Sequence, residues 1–137
     1  MIPCFADTSY FIALLSPADA NHARAHEIAE EFRRSVLTSE YVVVEVGNFF
    51  RARAARPRFR SFMHVVESDP ATQIVAASST LLRAAIELFV NRKDKTGSLT
   101  DCTSFVIMQD RGITDALSAD HHFEQAGFRA LLRTEPT

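Results

Sequence analysis

Short apolar runs alternate along the whole chain with longer segments whose apolar residues recur at helical spacing, and this alternation most narrows the fold. The first run, Ile2 to Ala6, ends on Asp7-Thr8-Ser9, where Thr8 or Ser9 can cap a short apolar helix that reaches Leu15 and is stopped by Ser16-Pro17. A second helix is predicted from Asn21 to Arg34, with Ala25, Ile28, Ala29 and Phe32 toward the core. Val36-Leu37-Thr38 reads as a strand. Ser39 caps a helix from Tyr41 to Arg53, although Val42-Val43-Val44 alone would favour a strand. Pro57 suits the first turn of the next helix, in which Phe59, Phe62, Met63 and Val66 repeat before Asp69-Pro70.

The same alternation continues to the end. Thr72 to Ala76 is a strand, and Ser79 to Asn91 is a helix with Leu82, Ala85, Ile86 and Phe89 on one side. After the polar loop Arg92 to Ser98, a helix capped by Ser98 or Thr100 runs through Met108 to Gly112. Thr114 to Ser118 is a strand, Asp120 caps a short helix ended by Gly127, and Phe128 to Leu132 is the last strand. Strands separated by helices imply a mostly parallel sheet covered on both faces, a three-layer α/β/α domain. With 137 residues and no linker or repeat, one domain spanning residues 1–137 is expected.

Composition excludes several classes. The apolar share of 47% with 23% charged residues is that of an ordinary globular protein, and no apolar run approaches transmembrane length. The first residues carry no basic stretch ahead of their apolar run, so a secretory signal is not expected and the cytoplasm is. Cys4 and Cys102 are too few for a disulfide framework and read as small buried apolar residues. A formal charge of −2 argues against indiscriminate nucleic-acid binding, yet Arg51, Arg53, Arg56, Arg58 and Arg60 crowd a stretch without any acid. Such a run is commonly a solvated helix face. Beside a site that cuts nucleic acid it becomes a phosphate-binding strip, with Arg92, Lys93 and Lys95 as a second.

Four acids stand where apolar segments change direction or helices begin. Asp7 follows a strand, the place where open α/β sheets bind ligands, although a capping Asp fits there equally well. Asp101 and Asp120, each taken alone, are explained as helix N-terminal acids. Glu45 differs: it lies mid-helix among Val42, Val43, Val44, Val46 and Phe49, where an ionised carboxylate needs solvent or a cation. Asn48, one turn on, could orient a ligand or a water, or be an ordinary exposed amide. Four converging carboxylates repel unless a cation joins them, and an all-oxygen set suits Mg²⁺ or Mn²⁺ and hence phosphoryl chemistry. His22 and His26, at i and i+4, lack a zinc-protease Glu and a third ligand and read as surface residues. His121-His122, next to Asp120, could help bind substrate or position a water, but adjacent residues on a helix point apart, so at most one does so and one can simply pack.

In order, Asp7-Thr8-Ser9, Thr38-Ser39 then Glu45, Ser98-Leu99-Thr100-Asp101-Cys102, and Leu117-Ser118-Ala119-Asp120-His121-His122-Phe123 resemble a PIN-domain nuclease over essentially the whole chain. The stretch from Ser98 to Phe128, with Gln125-Ala126-Gly127-Phe128, looks most like the VapC toxin branch. The resemblance implies a central five-stranded parallel sheet and a Mg²⁺- or Mn²⁺-dependent endoribonuclease. On it, Asp7, Glu45, Asp101 and Asp120 match the catalytic, metal-binding quartet, and Ser9 and Thr100 match hydroxyl positions beside it. It further implies a structured RNA substrate, transfer or ribosomal, a homodimer and a small antitoxin partner. The alternative from another class is a noncatalytic RNA- or protein-binding module on the same fold. A phosphotransferase of the haloacid-dehalogenase type would want a second Asp where Ser9 stands.

Overall fold

The computed structural model describes residues 2–31, 33–92 and 96–133. The chain runs β1 (Cys4–Ala6), α1 (Thr8–Leu15), α2 (His22–Glu31), β2 (Val36–Ser39), α3 (Glu40–Phe49), a 3-10 turn at Arg53–Ala55, and α4 (Arg56–Ser68). It continues through β3 (Thr72–Val75), α5 (Ser79–Asn91), α6 (Leu99–Arg111), β4 (Asp115–Leu117), α7 (His121–Gln125) and β5 (Arg129–Ala130). Every strand pair is parallel, and the sheet order is β3-β2-β1-β4-β5. Parallel neighbours need crossovers, and the helices supply them. From β1 the chain winds outward to β3, then returns to the other side of β1 as β4. That reversal makes the β1–β4 seam the switch point of the sheet, where a crevice opens at the strands' C-terminal ends.

The core sits around β1 and α6. Cys4, Phe5 and Ala6 are buried throughout, and α6 buries Asp101, Cys102, Thr103, Ser104, Phe105, Ile107 and Met108. Phe105 meets Phe123 edge to face, with ring centres 5.0 Å apart. At α1 the cap is Asp7 and not Thr8 or Ser9, which lie inside the helix. The predicted caps form at α3, α4 and α6, where Ser39 Oγ accepts from the Val42 N–H at 3.2 Å, Pro57 lies in the first turn of α4, and Gly112 takes the left-handed conformation with φ of 66°. The helical assignment of the valine run therefore holds. With Val42 and Val46 fully buried, packing and the cap outweigh the β-branched preference. Gly47 keeps α3 and α4 close, since a Cβ there would lie 3.3 Å from the Phe59 ring.

Three further expectations are corrected. The helix predicted to reach Arg53 stops at Phe49, because Phe50 turns into the core and the Arg51 N–H closes a turn onto the Asn48 carbonyl. On α2, Ala25 is buried but Ala29 is exposed, and Phe32 lies outside the described residues. On α5 the inward stripe is Leu81, Ala85 and Leu88, whereas Leu82, Ile86 and Phe89 stay exposed. Both stripes have helical spacing, and packing against α6 selects the first. His22 and His26 also do more than decorate a surface. Their rings bond the Ala13 and Leu14 carbonyls at 2.7 and 3.2 Å, satisfying the C-terminal turn of α1. At the opposite end of the sheet from the crevice, Arg34 and Arg129 pair with Asp115 at 2.7 and 3.2 Å.

Candidate active site

Adjacent parallel strands β1 and β4 bring two distant polar turns side by side. The Asp7 N–H donates to the Leu117 carbonyl at 3.0 Å, prolonging the ladder by one bond. Asp7 caps α1, and its Oδ2 accepts from Ser9 Oγ at 2.8 Å and from Ser118 Oγ at 3.0 Å. Ser9 Oγ in turn accepts from the Ala119 N–H at 3.0 Å, and Ser118 Oγ accepts from the Asp120 N–H at 3.0 Å. One hydroxyl network thus holds the ends of both strands. On the other flank, Thr38 donates to the Ala6 carbonyl at 2.9 Å.

Asp101 arrives from α6. It completes a capping box with Ser98: the Ser98 N–H donates to Asp101 Oδ2, and the Asp101 N–H donates to Ser98 Oγ, both at 3.0 Å. Asp120 caps α7, its Oδ1 accepting from the His122 N–H at 2.9 Å. Capping and site roles therefore coincide for Asp7, Asp101 and Asp120, because the N-termini of α1, α6 and α7 meet at the crevice. Glu45 is half-buried on α3, and among the described residues its carboxylate makes no hydrogen bond or ion pair.

The electrostatics show that these groups share one region. Asp7 is 2% exposed, and its acid is pushed up to about 7, first by burial and then by the charge of Asp101, against the lowering hydrogen bonds from Ser9, Ser118 and the Thr8 backbone. Asp101, 5% exposed, is raised mainly by burial, with Asp120 and Glu45 adding to the rise and the Ser98 N–H and His122 opposing it. Ion pairs at the four acids among the described residues come from His121 and His122 alone, not from Lys or Arg. Carboxylates buried together without a lysine or arginine counterion fit a divalent cation, and oxygen donors suit a hard one.

Of the remaining predicted residues, Ser9 joins the network directly. Thr100 lies in the first turn of α6 beside Asp101, while Asn48 is exposed and makes no side-chain hydrogen bond to a described residue. Arg51, Arg53, Arg56, Arg58 and Arg60 are all exposed in the segment that follows α3, where Arg56 Nε donates to the Arg51 carbonyl at 2.9 Å. Lys93 and Lys95 lie outside the described residues. Two participants had not been assigned to the site from sequence. Ser118 carried a usable signal, a hydroxyl at a strand end two residues before an acid. His122 was one of an adjacent pair, and only the fold shows that it, not His121, is tucked between Asp101 and Asp120.

A parallel sheet with its switch point lined by Asp7, Asp101, Asp120 and Glu45 agrees with the family assignment: the chain matches the PIN domain family over residues 4–129 and belongs to it. Within that family it is similar to the 23S rRNA-specific endonuclease VapC20 of Mycobacterium tuberculosis, from two strains, at 28% identity over 124 residues. That match covers 90% of this chain and 94% of the relative. The crystal structure of VapC20, described as a Sarcin-Ricin loop cleaving toxin, matches with a TM-score of 0.84 at 26% identity. It covers 91% of this chain and 95% of the other.

Proposed function

We propose that this chain is a divalent-cation-dependent endoribonuclease, acting as one nuclease domain in the cytoplasm and forming the toxin half of a toxin–antitoxin pair. The observation that carries this reading is the burial of Asp7 and Asp101 at the sheet's switch point, with the charge of Asp101 acting on Asp7 and those of Asp120 and Glu45 acting on Asp101. Likeness to a ribosomal-RNA endonuclease across nine-tenths of the chain supports RNA as the substrate, and ribosomal RNA as the first to test.

Asp7 and Asp101 would hold the principal cation, with Glu45 and Asp120 as further ligands directly or through water. A bound Mg²⁺ or Mn²⁺ supplies charge stabilisation at the phosphate and an activated water near neutral pH. The chain's own groups provide the rest. Ser9 and Ser118 fix the Asp7 carboxylate by donating to its Oδ2, and the Ser98 capping box fixes Asp101. Asn48 and Thr100 serve as auxiliary polar groups on the flanking helices. Val44, Phe49 and Val65, exposed on α3 and α4, offer apolar surface to a second copy in a homodimer. No helix among the described residues is long and apolar enough to cross a membrane.

Incubating the purified protein with ribosomal and transfer RNA, and sequencing the new ends, tests the reading. Discrete cuts are expected with Mg²⁺ or Mn²⁺ and none with EDTA. Cleavage that persists in EDTA would remove the metal dependence, and binding without any cleavage would remove the enzyme assignment.

The arginines from Arg51 to Arg60 grip the RNA backbone in this scheme. Converting Arg56 and Arg58 together to Ala should lower affinity for many RNA sequences alike and flatten its salt dependence by about one to two phosphate contacts. An unchanged salt slope in a filter-binding series would move the strip out of the RNA interface.

A further inference from the structure

His122 occupies a position that capping does not explain. Its Nδ1 lies 2.7 Å from Asp120 Oδ1 and 3.6 Å from Asp101 Oδ2, and the side chain is 19% exposed. Close as it is, the Asp120 oxygen is not aligned with Nδ1 for a hydrogen bond, so this solvent-shielded nitrogen has no directed partner among the described residues. The opposite ring nitrogen is engaged: Nε2 lies 3.1 Å from Thr96 Oγ1. With Nε2–H as the donor to that hydroxyl, one of the two tautomers the contact allows, the lone pair is left on Nδ1 between the two carboxylates. A histidine that ligates a metal characteristically donates its other ring N–H in this way, which fixes its tautomer and orientation.

The spacing agrees. Neighbouring ligand atoms around a six-coordinate ion with bonds near 2.1 Å stand about 3 Å apart, between the two separations at Nδ1. His121 groups with Asp120 and His122 as a set whose ligand atoms all lie within 4.8 Å of one another, but its Nδ1 is 3.7 Å from Asp120 Oδ1 and its side chain is 53% exposed, so His122 is the shielded donor of the two.

We propose that His122 Nδ1 is a nitrogen ligand to a cation shared with Asp101 and Asp120, so that the site is a mixed nitrogen–oxygen one rather than purely carboxylate. This rests on the reading that the acids bind a divalent cation. An imidazole donor shifts preference away from Mg²⁺ toward transition ions, so it makes the protein select Mn²⁺ over Mg²⁺.

The test uses Mn²⁺ alone as the probe on the full chain. Pulsed electron paramagnetic resonance of the Mn²⁺-loaded wild type should show coupling to a ¹⁴N nucleus, retained in His121→Ala and absent in His122→Ala. By calorimetry, His122→Ala should bind Mn²⁺ at least roughly tenfold more weakly while Mg²⁺ affinity changes much less. The wild-type nitrogen signal needs no variant, so a His122→Ala protein that failed to fold would leave the proposal decidable. Mn²⁺ bound without nitrogen coupling would overturn the His122 assignment and leave the acidic site standing. Failure to bind Mn²⁺ at all would overturn both.

Discussion

An Asp7→Asn protein should lose RNA cleavage by roughly a thousandfold or more and yet, free of metal at pH 8, unfold at a higher temperature than the wild type. On the proposed reading the first effect follows from the loss of a ligand charge, since metal stabilisation of a phosphoryl transition state supplies several kcal/mol and each 1.36 kcal/mol is about tenfold in rate. The second follows from the environment. Burial, and next the charge of Asp101, hold the Asp7 acid at about 7, so forcing it to ionise costs folding energy at pH 8. An uncharged isostere removes that cost, on the order of 4 kcal/mol for a rise of this size, less whatever its new amide group loses on burial. Asn keeps an oxygen to accept from Ser9 and Ser118 and still caps α1. A variant that cut RNA normally would end the catalytic assignment of Asp7, and one that melted well below the wild type would show that its ionised carboxylate does not cost the fold stability.

Metal-free wild-type protein should be more stable near pH 5 than near pH 8, and saturating Mg²⁺ or Mn²⁺ should reverse that order. The sign is set by the direction of the shift. Asp7 has a folded-state acid of about 7 against an ordinary value of 3.8, so between these the folded protein keeps a proton that the unfolded chain has released. Its contribution is full below about pH 4 and is lost as pH rises through 7. Asp101, raised in the same direction, adds to the trend. A cation that binds only the folded, ionised site restores stability by mass action, about 2.7 kcal/mol at a hundred times its Kd. Melting curves from pH 5 to 8, in EDTA and with each metal, read this directly. A metal-free melting temperature that climbs steadily from pH 5 to 8 would mean that the acids do not confront one another in solution.

Much of the candidate site was legible because its local signals are strong. Asp7 and Asp120 sit at breaks between a strand and a helix, and the Ser98–Asp101 spacing is that of a capping box, so each acid could be placed at an element's start without tertiary information. The ordered motifs then resembled one family, and the membership is borne out. What local pattern left ambiguous was the choice between neighbouring faces. Leu82, Ile86 and Phe89 make as good an apolar stripe on α5 as Leu81, Ala85 and Leu88, and the two histidines of α7 differ by a single residue.

Sequence alone determined the element order, the caps other than that of α1, and the acid-bearing turns, because these depend on the backbone preferences and side-chain reach of residues a few positions apart. Only the tertiary structure decided that β4 lies beside β1, which brings Ser118 to Asp7 and His122 between Asp101 and Asp120. The reason is physical. Strand neighbourhood in a parallel sheet is set by how whole crossovers pack on its faces, and that free energy is spread over the core rather than written in any local stretch of chain.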